Sequence, residues 1–262
     1  MNNFWDKWIQ RADKLSSAMP EARELLAFYS RLLGTQREIY DYLRSRKGWL
    51  PSGSLAYDLT VVRAVWPKLL GSLQSNSPDA LASEARALLE ASDAEVAEML
   101  IEYWRAPGDD QFFAKSFLQP YARWLADAGI RPSGRNLEAS ENRCPFCQGK
   151  PQVAFLKIDE PGAEVGTRKL MCSLCLSPWT FRRVVCANCK EERATQLGYY
   201  QAEQIGHVRI EVCETCKHYI KAVDLTKLGF AVPMVEEVAT AALDLWARER
   251  GYTKIEMNLV GL

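Results

Sequence analysis

Eight cysteines fall into four Cys-x-x-Cys pairs: Cys144 and Cys147, Cys172 and Cys175, Cys186 and Cys189, and Cys213 and Cys216. Every cysteine has a partner three residues away, a regularity that random placement at this cysteine content does not produce. Two residues between cysteines let the chain make a tight turn that aims both sulfurs at one ion. Backbone N–H groups in the turn then donate to the thiolates, and two such turns complete a tetrahedron. The chemistry to expect is metal binding by thiolates alone.

The pairs are themselves paired. Between Cys147 and Cys172 lie 24 residues, between Cys189 and Cys213 lie 23, and Cys175 and Cys186 are separated by 10. Equivalent cysteines therefore recur at offsets of 42, 42, 41 and 41, which marks an internal repeat of one supersecondary unit. Each copy has a turn, a stretch of strand-like residues, and a strand into the second turn, at 168–171 and at 208–212. An aromatic follows each second turn, Trp179 in one copy and Tyr219 in the other. This is the layout of a rubredoxin-like or zinc-ribbon module. The simplest assignment puts Cys144, Cys147, Cys172 and Cys175 on one ion and Cys186, Cys189, Cys213 and Cys216 on another. Interleaved pairing stays open, because spacing alone does not fix ligand sets.

Other uses of the cysteines fit less well. Four disulfides need an oxidising compartment. A thioredoxin-type site needs one pair opening a helix after a strand, and the regular ribbon spacing favours mononuclear sites over iron–sulfur clusters. His207 and His218 are expected on the surface or beside a site, because structural sites close at four ligands. Pro145 is read as a turn former.

The elements that must hold these turns divide the chain unevenly. Residues 1–141 contain neither cysteine nor histidine and read as helices. Trp5, Trp8, Ile9, Ala12 and Leu15 repeat at helical spacing, as do Leu25, Phe28, Leu32, Ile39 and Leu43. Gly48 and Pro51-Ser52-Gly53 break that second segment. Val62, Trp66, Leu69, Leu70 and Leu73 predict a third helix with a kink at Pro67. Ser77-Pro78 supplies an N-cap and an N1 proline for a fourth. Ser92 with Glu95 forms a capping box for a fifth, carrying Val96, Met99, Leu100, Tyr103 and Trp104 on one face. A sixth is expected from about Asp109 to Ala128, stopped by Gly129. The aromatics read as packing core, and no catalytic constellation or phosphate loop is visible. A final helix is expected from Pro233 to Arg250, then a tail without obvious structure. The fold class is thus α+β: a helical domain (1–141), two tandem rubredoxin-like four-cysteine modules (142–182 and 183–222), and a C-terminal helix and tail (223–262).

Bulk properties narrow the function. Lysine plus arginine and aspartate plus glutamate both total 33, and eight thiolates with two divalent ions would leave a charge near −4. Residues 142–262 carry 16 basic and 14 acidic residues, so the basic stripe of a nucleic-acid-binding protein is missing. The start, Met1-Asn2-Asn3-Phe4-Trp5-Asp6-Lys7-Trp8, shows no export signal, and no apolar run is long enough to span a membrane. The expectation is a cytoplasmic, non-membrane protein.

The sequence resembles the FdhE family, formate dehydrogenase accessory proteins. The resemblance rests on Cys144-Pro145-Phe146-Cys147, Cys172-Ser173-Leu174-Cys175 with Trp179, Val185-Cys186-Ala187-Asn188-Cys189, and Cys213 to Cys216 followed by Tyr219-Ile220-Lys221. The segment 238–244, Gly251-Tyr252, Asn258 and the upstream Phe117-Leu118-Gln119-Pro120-Tyr121 add to it. What it implies is a non-enzymatic accessory protein, iron in both modules with zinc as the other candidate, and the catalytic subunit of an exported respiratory formate dehydrogenase as partner. A rubredoxin-like electron carrier and a nucleic-acid-binding zinc ribbon are the alternatives. The chain departs from the family pattern in three places. Gln148, Leu176, Lys190 and Lys217 stand where glycine often follows a turn, Thr180 where histidine often follows the tryptophan, and Leu259-Val260 where Pro-Phe is usual.

Overall fold

The computed structural model describes residues 4–108, 111–159 and 166–262. Seven helices come first: α1 (Phe4–Ala18), α2 (Arg23–Ser45), α3 (Leu55–Arg63), α4 (Trp66–Asn76), α5 (Asp79–Glu90), α6 (Asp93–Arg105) and α7 (Phe112–Ala128). Apolar stripes at helical spacing bury Trp5, Leu26, Leu33, Trp104, Phe117 and Tyr121 in one core. The Ser92 hydroxyl accepts from the Glu95 N–H, and the Glu95 carboxylate accepts from the Ser92 N–H at 2.8 Å, which makes the expected capping box. Gly129 ends α7 in the left-handed region at φ 69°.

Two of these helix expectations need correction. The helix expected across Val62 to Leu73 is two, because Pro67 lacks an N–H to donate within a helix and instead occupies the first turn of α4. At the fourth expected start the N-cap residue is Pro78, one position later than read, without a side-chain cap bond. The expected start of the last N-terminal helix at Asp109 lies outside the described residues.

The remainder builds one seven-stranded sheet: β1 (Pro151–Lys157), β2 (Thr167–Cys172), β3 (Pro178–Thr180), β4 (Leu197–Tyr200), β5 (Val208–Cys213), β6 (His218–Asp224) and β7 (Thr253–Lys254). The order is β3-β2-β1-β6-β5-β4. Each four-cysteine repeat contributes an antiparallel trio, and the trios join where β1 runs parallel to β6, with Ala154 opposite Ala222. β7 takes the rest of that edge of β6, with Thr253 opposite His218.

The helix expected from Pro233 to Arg250 is broken at Thr240 into α8 (Pro233–Ala239) and α9 (Ala241–Glu249). The tail read as structureless supplies β7 and buries Ile255, Glu256, Asn258 and Leu259. Alternation along β6 sends Ile220 into the main core and Tyr219 into a smaller core with Ile210, Val212, Ala247 and Tyr252. The main core runs without interruption from the helices through the first cysteine cluster.

Candidate metal centres

Two backbone bonds recur in the Cys-x-x-Cys turns, each in three of the four. The Gln148 N–H donates to Cys144 O at 2.8 Å, Lys190 to Cys186 O at 3.1 Å, and Lys217 to Cys213 O at 2.8 Å. The Cys144, Cys172 and Cys186 N–H groups donate to Gly149 O, Ser177 O and Glu191 O at 2.9–3.1 Å. That geometry drives the residue after each second cysteine into the left-handed region: Gln148, Leu176, Lys190 and Lys217 lie at φ 60°, 59°, 64° and 54°. A non-glycine residue is held there at a cost of about 1–2 kcal/mol.

The turns meet in two groups, Cys144, Cys147, Cys172 and Cys175, and Cys186, Cys189, Cys213 and Cys216, with all sulfurs of a group within 4.8 Å of one another. The pairs are not interleaved. Sγ–Sγ separations are 3.5 Å for Cys144–Cys175, 3.3 Å for Cys147–Cys172, and 3.7 Å for both Cys186–Cys216 and Cys189–Cys213. A tetrahedron with metal–sulfur bonds of about 2.3 Å has edges of about 3.8 Å, so each group fits one ion. A polynuclear cluster places its ligands on different irons and needs wider spacing. Backbone donors are already aimed at sulfur: Leu174 N–H at Cys172 (3.4 Å), and Asn188 and Cys189 N–H at Cys186 (3.3 and 3.4 Å). Four-thiolate tetrahedra suit zinc and iron alike.

The electrostatics call for a cation. Burial pushes the Cys172 thiol well above its ordinary range, and the neighbouring Cys144 and Cys147 thiols push it further. Hydrogen bonds from Cys147, Cys172 and Cys175 hold Cys144 far below that range. Four such sulfurs cannot all ionise in a buried space without a positive charge between them. In the second group, burial opposes ionisation of Cys216, but the Asn188 side chain, the His218 backbone N–H and the neighbouring thiols bring it down to about 7.

Surroundings separate the two groups. The first four cysteines are 0–1% exposed. Helix α7 covers them: the Gln119 side chain donates to Ser173 O at 2.7 Å, and Arg123 reaches Cys175 O at 3.4 Å. In the second group Cys213 is buried, Cys216 half-buried and Cys189 exposed. Both histidines stand outside the groups. His218 Nδ1 donates to Cys216 O at 2.6 Å, and His207 Nε2 pairs with Glu236 at 3.0 Å.

Sequence reading missed a buried ionic cluster beneath the sheet. Lys221 Nζ meets Asp244 Oδ2 at 2.5 Å and Glu237 Oε1 at 3.3 Å. Lys254 meets Asp244 Oδ1 at 2.9 Å and also pairs with Glu237. Tyr219 donates to Asp244 at 2.8 Å, and the Asn258 amide donates to both Glu237 oxygens at 3.0–3.1 Å. Two lysines against two carboxylates leave the cluster neutral, so its members tolerate complete burial. The signal was the resemblance itself, which had singled out Tyr219, Lys221, Asp244 and Asn258 without a reason for them.

No helix among the described residues is long and apolar enough to cross a membrane. The family model for "FdhE, C-terminal domain" matches residues 184–260. A protein of Aquifex aeolicus named "Protein FdhE homolog" is 29% identical, over 97% of this chain and 94% of its own length. One of the same name from Haemophilus influenzae is 27% identical over 76% of this chain, which covers 66% of that relative. In fold, the chain is similar to the crystal structure of the FdhE protein from Pseudomonas aeruginosa, with a TM-score of 0.70 at 23% identity, over 98% of this chain and 94% of that one. The family model and the relatives indicate one family, FdhE, and the solved structure shares the fold.

Proposed function

We propose that this chain is a non-enzymatic accessory protein for a respiratory, exported formate dehydrogenase. In this reading it binds the catalytic subunit in the cytoplasm before export and carries two mononuclear ions, one on each group of four cysteines. The observation that carries the reading is the fusion of two thiolate-stapled modules into one sheet packed on a helical bundle. Such a scaffold holds its surface loops in place, which lowers the ordering cost of binding a large partner. The family name supports the choice of partner. Iron is favoured by the resemblance, and zinc fits the same donors. When bound, the ion supplies cross-linking of the two turns at each site. Electron transfer is the second reading, favoured by the exposed edge at Cys189.

A strain lacking the gene tests the proposal. It is expected to make formate dehydrogenase polypeptide while respiratory formate oxidation drops close to background. The parent gene should restore activity, and a gene with both Cys186 and Cys189 changed to serine should not. Normal formate oxidation in the deletion strain, with no second copy in the genome, would overturn the proposal in favour of electron transfer. Anaerobic purification with metal analysis should give two ions per chain.

A further inference from the structure

The two cysteine groups share a backbone plan but differ in what reaches their sulfurs. In the first, Gly149 follows the opening turn, and a Cβ built there would lie 2.8 Å from Cys172 Sγ and 3.4 Å from Cys147 Sγ. Only a residue without a side chain fits against those sulfurs. Its counterpart in the second group is Glu191, which makes the same carbonyl bond to the turn's opening cysteine. The Glu191 side chain has room to turn aside, where it accepts from Arg193 Nε at 2.9 Å and Thr215 Oγ1 at 2.7 Å. Asn142, at the start of the first module, donates to Ala187 O and Asn188 O at 3.3 and 2.6 Å, which fixes the backbone of that turn. Beyond that turn, Cys189 faces solvent. Over Cys216 the Asn188 amide lies 3.7 Å from the sulfur.

We infer that the second group is an exchange site, open to soft-donor ligands such as thiols and chelators that enter at Cys189, whereas the first group is closed to them. The inference rests on each group holding one ion. Exchange would need no redox partner: Cys189 Sγ is the thiolate that an incoming sulfur or nitrogen donor would displace, and solvent would protonate it. Cys186 and Cys213, both buried, would hold the ion meanwhile. At the first group the same attack requires α7 to lift from Ser173 and Cys175, an opening that slows exchange by about tenfold or more.

The test uses the full chain loaded with zinc and challenged with an excess of the chromogenic chelator 4-(2-pyridylazo)resorcinol, with iodoacetamide labelling read by mass spectrometry. Two zinc ions should leave in two phases of equal amplitude, at least about tenfold apart in rate. During the fast phase, label should appear on Cys189 and Cys216 and not on Cys144, Cys147, Cys172 or Cys175. Cys189→Ser should remove the fast phase and Cys147→Ser the slow one, and where a variant does not fold the labelling order in the parent protein decides. Two ions leaving in one phase, or label arriving first at the Cys144 group, would overturn the inference while leaving the two-ion reading intact. Fewer than two zinc ions at the outset would overturn both.

Discussion

The four residues held in left-handed backbone are the clearest local strain in the molecule. Metal binding, on the order of 10 kcal/mol per structural site, would offset it at each turn. Lys190→Gly is expected to stabilise the metal-loaded protein, by less than about 1 kcal/mol once the extra freedom of glycine in the unfolded chain is subtracted. Urea denaturation would show this as a rise in midpoint without a change in slope. The opposite sign is expected for Gly149→Ala, whose methyl group would press on Cys172. Overpacking of that kind costs about 1–3 kcal/mol. Chelator competition should show a weakened first site, with Glu191→Ala leaving that site unchanged. The cysteines and the left-handed positions were legible because a turn is a local object, written in consecutive residues. Glu237 and Lys254 were not, because their partners lie across the sheet and no spacing rule connects them.

Among elements, helices with strong periodicity and explicit ends were read well, and the breaks were read worst. Pro67 was recognised as a perturbation, but whether proline kinks a helix or starts a new one depends on what packs on either side. The break at Thr240 has no sequence signal at all. Lys221 on β6 accounts for it, because its ammonium takes the Glu237 carbonyl that a continuous helix would keep for itself. Thr240 Oγ1 completes the break by donating to Glu236 O at 2.8 Å. Lys221→Met should therefore destabilise by about 3–5 kcal/mol, since it leaves two buried carboxylates facing Lys254 alone. Thermal unfolding of the loaded protein would measure the loss. The same cluster gives a pH dependence. Burial raises the Asp244 carboxyl, but Lys221 and Lys254 more than offset this and hold it below the ordinary carboxylate range. A depressed carboxylate stabilises the fold above its unfolded value, near 4, and loses that contribution as pH falls through the folded value. Stability should decline on acidification below about pH 4, and less steeply in Asp244→Asn once its lower starting stability is subtracted.

Across the whole molecule, polar contacts tie the N-terminal helices to the C-terminal half. Arg11 on α1 pairs with Glu236 on α8 at 2.6 Å, Lys115 on α7 with Glu256 in the tail at 2.6 Å, and Gln119 docks the first module. The second module is tied instead to α8 and α9, through His207–Glu236 and Lys221–Asp244, and shares a small core with α9. Cys213→Ser should accordingly expose residues around 183–222 to protease while the helical half stays resistant, and limited proteolysis with mass spectrometry would locate the cuts. Equal resistance in mutant and parent would count against a metal-stapled module. The two-module plan was legible from the repeat offsets. That the modules share one sheet was not, since the β1–β6 pairing is encoded by neither strand alone.

That parallel seam also sets a schedule for synthesis. Ala154 leaves the ribosome long before its neighbour Ala222, and Arg11 longer still before Glu236. The first hairpins and their cysteine turns have every residue they need while the seam partner is still unmade, so one edge of β1 waits unpaired during elongation. Closure of the sheet is a late, long-range event. A nascent chain halted before residue 218 should already protect the first cysteine group from alkylation, yet leave α1 without its anchor on α8. The last segment made thus completes the first.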